Sequence, residues 1–406
     1  MKTMPRVAVL VESSRAFGRG LIEGIANYSR THGPWSMYFE PQGLGFAPPA
    51  WLSNWKGDGI LVRIDDQRMV DAVMATGLPA LDLRGRLDTP LPFIGIRNEA
   101  VTKLVFEHLR DRGLRAFAFC GIAKGKIRAL DWRREHFVRH VEAAGFRCDV
   151  YTDDDRKTTK AARTVSSSGK PPQDPLAIDW ETEQEALADW VRSLPKPIGI
   201  MACHDPRGYQ LVDACRRAGV LVPDEVAIVG VDNDPVLCQM ADPPLTSVDP
   251  DGARIGFTAA SWLDRMMCGE PGPSSTVLLE PKGLIARRSS DMLAIDDPEI
   301  ARAVRYIRDR ACEGIQVPDL LAEVAMSRSV LERRFRKVLG RTLKAEMLRV
   351  QIDRAKQLLC ETDLLLADIA QRSGFTGDKY FSDAFCHQTG LRPTAYRESL
   401  RSTEQR

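Results

Sequence analysis

No apolar run in the 406 residues approaches the ~18 that a membrane span needs. The N-terminal "VAVLV" is five residues long, a strand core too short for the apolar region of a secretory signal. Nine cysteines are scattered singly, with no C-x-x-C pair and no neighbouring histidine ligands, so small buried side chains in a reducing cytoplasm are expected instead of disulfides or a metal site. The six histidines are dispersed and no His-Glu-x-x-His motif occurs. "SSRAFGRG" carries glycines but neither the G-x-G-x-x-G spacing nor a P-loop Lys-Ser/Thr, and there is no G-x-S-x-G. Catalysis by the common motif-bearing classes is therefore not expected, nor is any cofactor or metal.

Net charge is small, but its distribution is not even. Lys and Arg against Asp and Glu count 37 to 41 over residues 1–300 and 20 to 14 over 301–406. A mildly acidic body carries a basic tail, which favours an anionic partner for the tail. From Arg6 to about Ser290, short apolar runs ("RVAVLVE", "GDGILVRI", "LPALDLRG", "FIGIRNE", "AFAFCGI", "PIGIMACHD", "EVAIVGVDN") alternate with helical patterns. Near-continuous apolar strands between helices indicate parallel sheets covered on both faces, and their number indicates two α/β lobes. Residues 152–176 are polar and without period, and read as a flexible surface loop. Beyond Asp297 the strands stop and the pattern is helical. The expected division is a sensor-like α/β region over 1–290, a linker over 291–299 and an all-α region over 300–400.

Within the all-α region, Phe335 and Gly340 echo Phe385 and Gly390, which suggests two helix-turn-helix motifs at about 317–340 and 366–390. Pro318 suits the first turn of one supporting helix, and Ser327 can cap the helix after it. Leu331, Phe335, Val338 and Leu339 form an apolar stripe. Ser329, Glu332, Arg333 and Arg336 form another face at i, i+3, i+4, i+7, flanked by Arg328 and Lys337. Leu348, Ile352, Ala355 and Leu359 mark a helix between the motifs. In "DIAQRSGFTGDKYFSDAFCHQTGLRPTAYR" the Ile-Ala pair, Gly-Phe, Tyr-Phe, Phe385, Gly390, Pro393 and Tyr396-Arg397 resemble the AraC-type DNA-binding domain. That resemblance implies double-stranded operator DNA as a partner. Arg333 would reach base edges, with Arg328, Arg334, Arg336, Lys337 and Arg341 on phosphates. Asp378, Lys379, Ser382 and Asp383 would form a second, nearly neutral reading face.

"GDGILV", "PIGIMACHDPRGYQLVDACRRAGVLVPDEVAIVGVDND" and "PPLTSVDPDGARIG" resemble the ligand-binding core of LacI-type repressors and periplasmic sugar-binding proteins. LacI-type proteins begin with their own helix-turn-helix, whereas here a strand starts near Arg6. A headless LacI-like sensor followed by an AraC-type tail resembles the XylR family of transcriptional regulators over essentially the whole chain. The fold this implies is a two-lobed α/β periplasmic-binding-protein-like domain followed by an all-α double helix-turn-helix domain. A small carbohydrate effector, a homodimer reading two half-sites and, for an activator, contact with RNA polymerase follow from the same resemblance.

The resemblance places Arg133, Asp205, Asp232 and Asn233 toward the effector, the carboxylates accepting sugar hydroxyls; either Asp could instead cap the helix that follows it. The sequence departs from the family in "IGIRNEA", where Arg97 replaces a customary Asp. Together with Arg15, Arg63 and Arg84 beyond other strands, it raises the possibility of a sugar acid, although a solvated rim would also explain any one of them. A sugar-processing enzyme and a DNA binder with a degenerate cleft stay open. Turnover of a bound sugar would mark the former; effector-independent operator affinity would mark the latter.

Overall fold

A computed structural model describes residues 4–43, 45–151, 180–273, 276–292 and 297–404. The expected surface loop at 152–176 lies outside the described residues, as do 293–296 of the expected linker. The chain divides into two units, Met1–Ala294 and Ile295–Arg406, each with its own core.

The first unit opens with β1 (Arg6–Leu10), α1 (Ala16–His32), β2 (Ser36–Phe39), β3 (Gly59–Val62), α2 (Gln67–Ala75), β4 (Ala80–Asp82), β5 (Ile94–Ile96) and α3 (Asn98–Arg110). It continues with β6 (Phe117–Cys120), α4 (Arg128–Ala143), β7 (Cys148–Tyr151), α5 (Trp180–Ser193), β8 (Ile198–Ala202), α6 (Asp205–Ala218), β9 (Val226–Val231) and α7 (Pro235–Met240). β10 (Thr246–Asp249), α8 (Gly252–Met267), β11 (Val277–Leu279) and β12 (Gly283–Ile285) complete it. One lobe holds a parallel sheet in the order β2-β1-β3-β4, extended past a bridge from Asp82 to Phe93 by the parallel pair β5-β11. The other holds β12-β10-β9-β8-β6-β7, parallel except for β12.

The inner strands are buried on both faces, as in "GILV" and "VAIVGV". That is why they read as unbroken apolar runs. β2 ("SMYF") is an edge strand with mostly exposed side chains and leaves no such run. β7 ("CDVY") is the edge of the other sheet and is only partly covered.

α1 and α8 touch backbone to backbone. A Cβ on Gly24 would stand 1.9 Å from the Ala253 carbonyl oxygen, and one on Gly256 would stand 2.1 Å from that of Leu21. Only residues without a Cβ permit this approach. α8 follows β10 of the second sheet yet packs against β3, β4 and β5 of the first, so the chain crosses between lobes at Pro250–Asp251.

The far end of α3 is tied by a directional chain of hydrogen bonds. Arg112 Nη1 donates to His108 Nδ1 at 3.1 Å, which places the ring proton on Nε2 for donation to Ser290 Oγ at 2.7 Å. Ser290 donates to Thr246 Oγ1 at 2.7 Å, and Thr246 to the Arg287 carbonyl at 2.9 Å. Burial first, and Arg112 second, hold the His108 imidazole down at about 3. A proton that the unfolded chain accepts below about 6.5 is thus refused by the native state. Its contribution to stability is complete above that value and falls with pH, by about 1.4 kcal/mol per unit, until the native value is reached. Denaturant titrations at about pH 7 and about pH 5 should therefore show His108→Gln losing about 1–2 kcal/mol less than the wild type across that interval. Equal losses would show that His108 protonates in the native state.

The second unit contains α9 (Pro298–Arg310), α10 (Val317–Glu323), α11 (Arg328–Leu339), α12 (Leu343–Glu361), α13 (Leu366–Arg372), α14 (Asp378–Thr389) and α15 (Pro393–Glu404). Ile300, Val304, Leu320, Leu331, Phe335 and Leu343 form one core; Ile352, Ala355, Leu359, Ile369, Phe381 and Phe385 form the other. α12 enters both, since Leu343 and Met347 pack in the first and Ile352 through Leu359 in the second. One continuous helix therefore fixes the separation of the two modules. α11 and α14 end alike, on Gly340 and Gly390 at φ of 69° and 76°, which explains the echo in the sequence. Two local expectations fail. Val338 is 42% exposed, whereas Leu339 in the same last turn packs against the core. Ser327 occupies the N-cap position, but its side chain makes no capping bond and lies 3.5 Å from Ser329 Oγ instead.

Candidate functional site

Between the lobes of the first unit, beyond the C-terminal ends of the strands, lies a cavity of about 120 Å³. It is well below the ~300–1,000 Å³ of sites for drug-sized ligands, so it suits a small solute. Glu12, Arg15, Phe17, Arg63, Arg84, Phe93 and Ile96 line it from one lobe. Ile127, Leu130, Arg133, His204 and Asp232 line it from the other, with Asn98 at the start of α3. Strand ends are where the helices α1, α3, α4 and α6 begin, which brings their positive dipole ends toward this space.

Each charged group has a defined environment. Arg63 pairs with buried Glu12 and lies 5.1 Å over the Phe17 ring. Arg84 Nε stands 2.8 Å from Asp65 Oδ1, an oxygen it shares with Arg86 Nη1 at 3.1 Å. Burial, with Arg63 adding like-charge repulsion, lowers Arg84 to about 10. Arg133 donates to Asn98 Oδ1 at 2.9 Å and to the Cys203 carbonyl; burial lowers its pKa and nearby Asp232 partly restores it. Burial pushes the Asp232 carboxyl up to about 6 against the pull of Arg133, Arg63 and Arg15. His204 caps α6, its Nδ1 accepting from Arg207 N at 3.1 Å. Burial and then Arg15 and Arg207 hold the imidazole near 3, so it is neutral and Nε2 carries the proton. Asp232 takes a φ of 115°, costing about 1–3 kcal/mol for a residue with a Cβ, and the fold absorbs this where the side chain meets the cavity.

Of the residues expected at the site, Arg15, Arg63, Arg84, Arg133 and Asp232 come together and three do not. Arg97 is not among the lining residues; it is exposed and pairs with exposed Glu280 at 2.7 Å, because the turn into α3 directs it outward. Asp205 is fully buried: its Oδ2 accepts from Asp234 N at 2.7 Å and its Oδ1 from Ser247 Oγ at 2.6 Å, so it braces the turn that carries Asp232. Asn233 accepts from Arg287 Nη2 at 2.8 Å and faces the same brace. His204, Glu12 and Asn98 were not anticipated. His204 follows "GIMAC", one residue before Asp205, and its place two residues beyond a buried strand is the available signal.

On the second unit, Arg328, Ser329, Glu332, Arg333, Arg336 and Lys337 are all exposed along one side of α11. Arg328 and Glu332 pair across one turn at 2.9 Å. Arg334 is instead engaged by Asp297, the cap of α9, and Arg341 by buried Glu346 at 2.8 Å, so neither is a free phosphate contact. α14 exposes Asp378, Lys379 and Asp383, with Ser382 half-buried; Tyr380, not anticipated, is 63% exposed beside them.

Comparison with known proteins follows the same division. Residues 6–93 match the family described as the XylR N-terminal domain, 106–290 the periplasmic binding protein-like domain, and 320–399 a helix-turn-helix domain. The xylose operon regulatory protein of Escherichia coli K12 is 28% identical over 400 residues, 97% of each chain. That of Haemophilus influenzae is 27% identical over 401 residues, 97% of this chain and 98% of that one. The solved structure of the xylose-binding transcription activator XylR, 28% identical, superposes with a TM-score of 0.74 over 98% of this chain and 99% of its own. A CelR–cellobiose complex, 19% identical with a TM-score of 0.53 over 70% of this chain and 84% of its own, shares the fold of the first unit.

Proposed function

For this chain, which belongs to the XylR-type transcriptional regulators and so is a sugar-sensing, DNA-binding protein and not an enzyme, we propose how its residues divide the work. The cavity holds one small carbohydrate. Asp232 accepts hydroxyl protons, Arg133 and His204 Nε2 donate, and Phe17 and Phe93 cover the apolar face of the ring. α11 reads operator DNA in the major groove. Arg333 is directed to the two acceptors of a guanine, while Arg336 and Lys337 meet phosphates. α14 supplies a second, less basic contact through Lys379 and Tyr380. The expected linker 291–299 joins sensor and reader, with its last two residues already opening α9. The chain acts as a cytoplasmic homodimer on paired half-sites and activates by contacting RNA polymerase; the relative described as a transcription activator supports the sign.

The observation that carries the DNA assignment is the exposed basic face of α11 opposite the fully buried Leu331 and Phe335. Binding of duplexes selected from a random pool tests it. Arg333→Ala should cost about 1–3 kcal/mol on the preferred site and relax one base position. Arg336→Ala should weaken all duplexes alike and lower the salt slope by about one. Exchange of these two behaviours would reverse the roles.

A further inference from the structure

The cavity has more cationic donors than its own acceptors engage. Four arginines line it against two carboxylates, Glu12 and Asp232. Glu12 is held by Arg63. Asp65, behind the wall, is one carboxylate facing two guanidinium groups, Arg84 and Arg86, and its Oδ2 also accepts from Gly45 N at 2.9 Å. Arg84 is 8% exposed, and its buried Nη1 has no hydrogen-bond partner among the described residues. Arg133 hydrogen-bonds only neutral acceptors, Asn98 Oδ1 and the Cys203 carbonyl. The Arg15 side chain makes no hydrogen bond or ion pair among the described residues, although it lines the cavity. Asp232 is shared among Arg133, Arg63 and Arg15, and buried Asp205 adds one further charge, near Arg133.

A buried guanidinium that must share its counter-charge is under-compensated, and a neutral sugar offers it only hydroxyl lone pairs. A carboxylate supplies both charge and the planar pair of acceptors that a guanidinium fork matches. We infer that the effector is an anionic carbohydrate, an aldonic or uronic acid, whose carboxylate lies between Arg15 and Arg84 while its hydroxyls face Asp232, Arg133 and His204. This rests on the proposed carbohydrate site and narrows its ligand. The xylose named for the solved relative is neutral, so the inference sets this chain apart from it.

Calorimetric titration of the full-length protein with matched pairs tests it: D-xylose and D-xylonate, D-glucose and D-glucuronate, D-galactose and D-galacturonate. At least one acid should bind at least about tenfold more tightly than its neutral parent, the effect of a single charge-assisted contact. Arg15→Gln, a change at a part-exposed loop position, should weaken that acid by about ten- to a hundredfold and leave the neutral parent nearly unchanged. Arg84→Gln should do the same if it folds; Arg15→Gln decides the matter if it does not. Neutral parents binding as well as or better than every acid would overturn the inference and leave the carbohydrate site standing. So would equal losses of acid and parent in Arg15→Gln. Absence of binding by all six compounds would remove both.

Discussion

A chain ending at Met292 should keep full effector affinity and lose operator recognition altogether. Specific sites exceed non-specific DNA by about 10³–10⁷ in affinity for proteins of this kind, and that entire margin is expected to vanish. Residual non-specific attraction should vanish as well. Residues 1–292 contain 37 basic and 38 acidic side chains, so the truncated chain has no net positive charge with which to displace counterions. The two units have separate cores. Mobility-shift titration of the truncated and intact chains on one selected duplex reads the outcome. Operator binding that survives truncation would move the DNA-reading surface into the first unit.

The next largest effect is expected from Gly24→Leu. Within a helix, replacing glycine by leucine ordinarily stabilises by somewhat under about 1 kcal/mol. Here the new Cβ would meet a carbonyl oxygen at 1.9 Å and the Phe257 nitrogen at 2.7 Å, both backbone atoms that cannot rotate away. α1 and α8 must then separate, exposing the Leu21, Ile25 and Ile255 packing between them. Overpacking costs about 1–3 kcal/mol and sometimes more, so a net loss of about 3 kcal/mol is expected from the urea midpoint, with effector affinity falling because Arg15 begins α1. Glu23→Leu, one residue away on the exposed side of the same helix, should change stability by no more than about 0.5 kcal/mol. If the two variants prove equally stable, the close helix contact does not hold the lobe together.

The two-lobed α/β organisation and the paired helix-turn-helix modules were legible because each leaves a repeating physical trace. Strands covered on both faces become apolar runs, and two helices ending on αL glycines repeat at matching offsets. Edge strands such as β2 and β7 leave no such trace, since one side faces water. The site was harder to read. Strand ends announced where the cavity would be, and Arg15, Arg63, Arg84, Arg133 and Asp232 do meet there. Which way a residue points one step beyond a strand depends on the turn that follows. His204 lines the cavity and its neighbour Asp205 turns into the core. Arg97 is directed outward by the turn into α3 and there meets Glu280, distant in sequence. No local pattern encodes that neighbour.

α3 is held at both ends by named bonds, Asn98 to Arg133 at the cavity and His108 to Ser290 at the exit of the sensor unit. Thirteen residues of helix make a rod about 20 Å long. A rod of that length is a lever: a tilt of about 3° about its first turn carries its far end through about 1 Å. Asn98 lines the cavity proposed for the effector, and Ser290 lies near the end of the sensor unit. A displacement imposed on Asn98 would be carried along that rod to Ser290, the bonds at its two ends setting its direction.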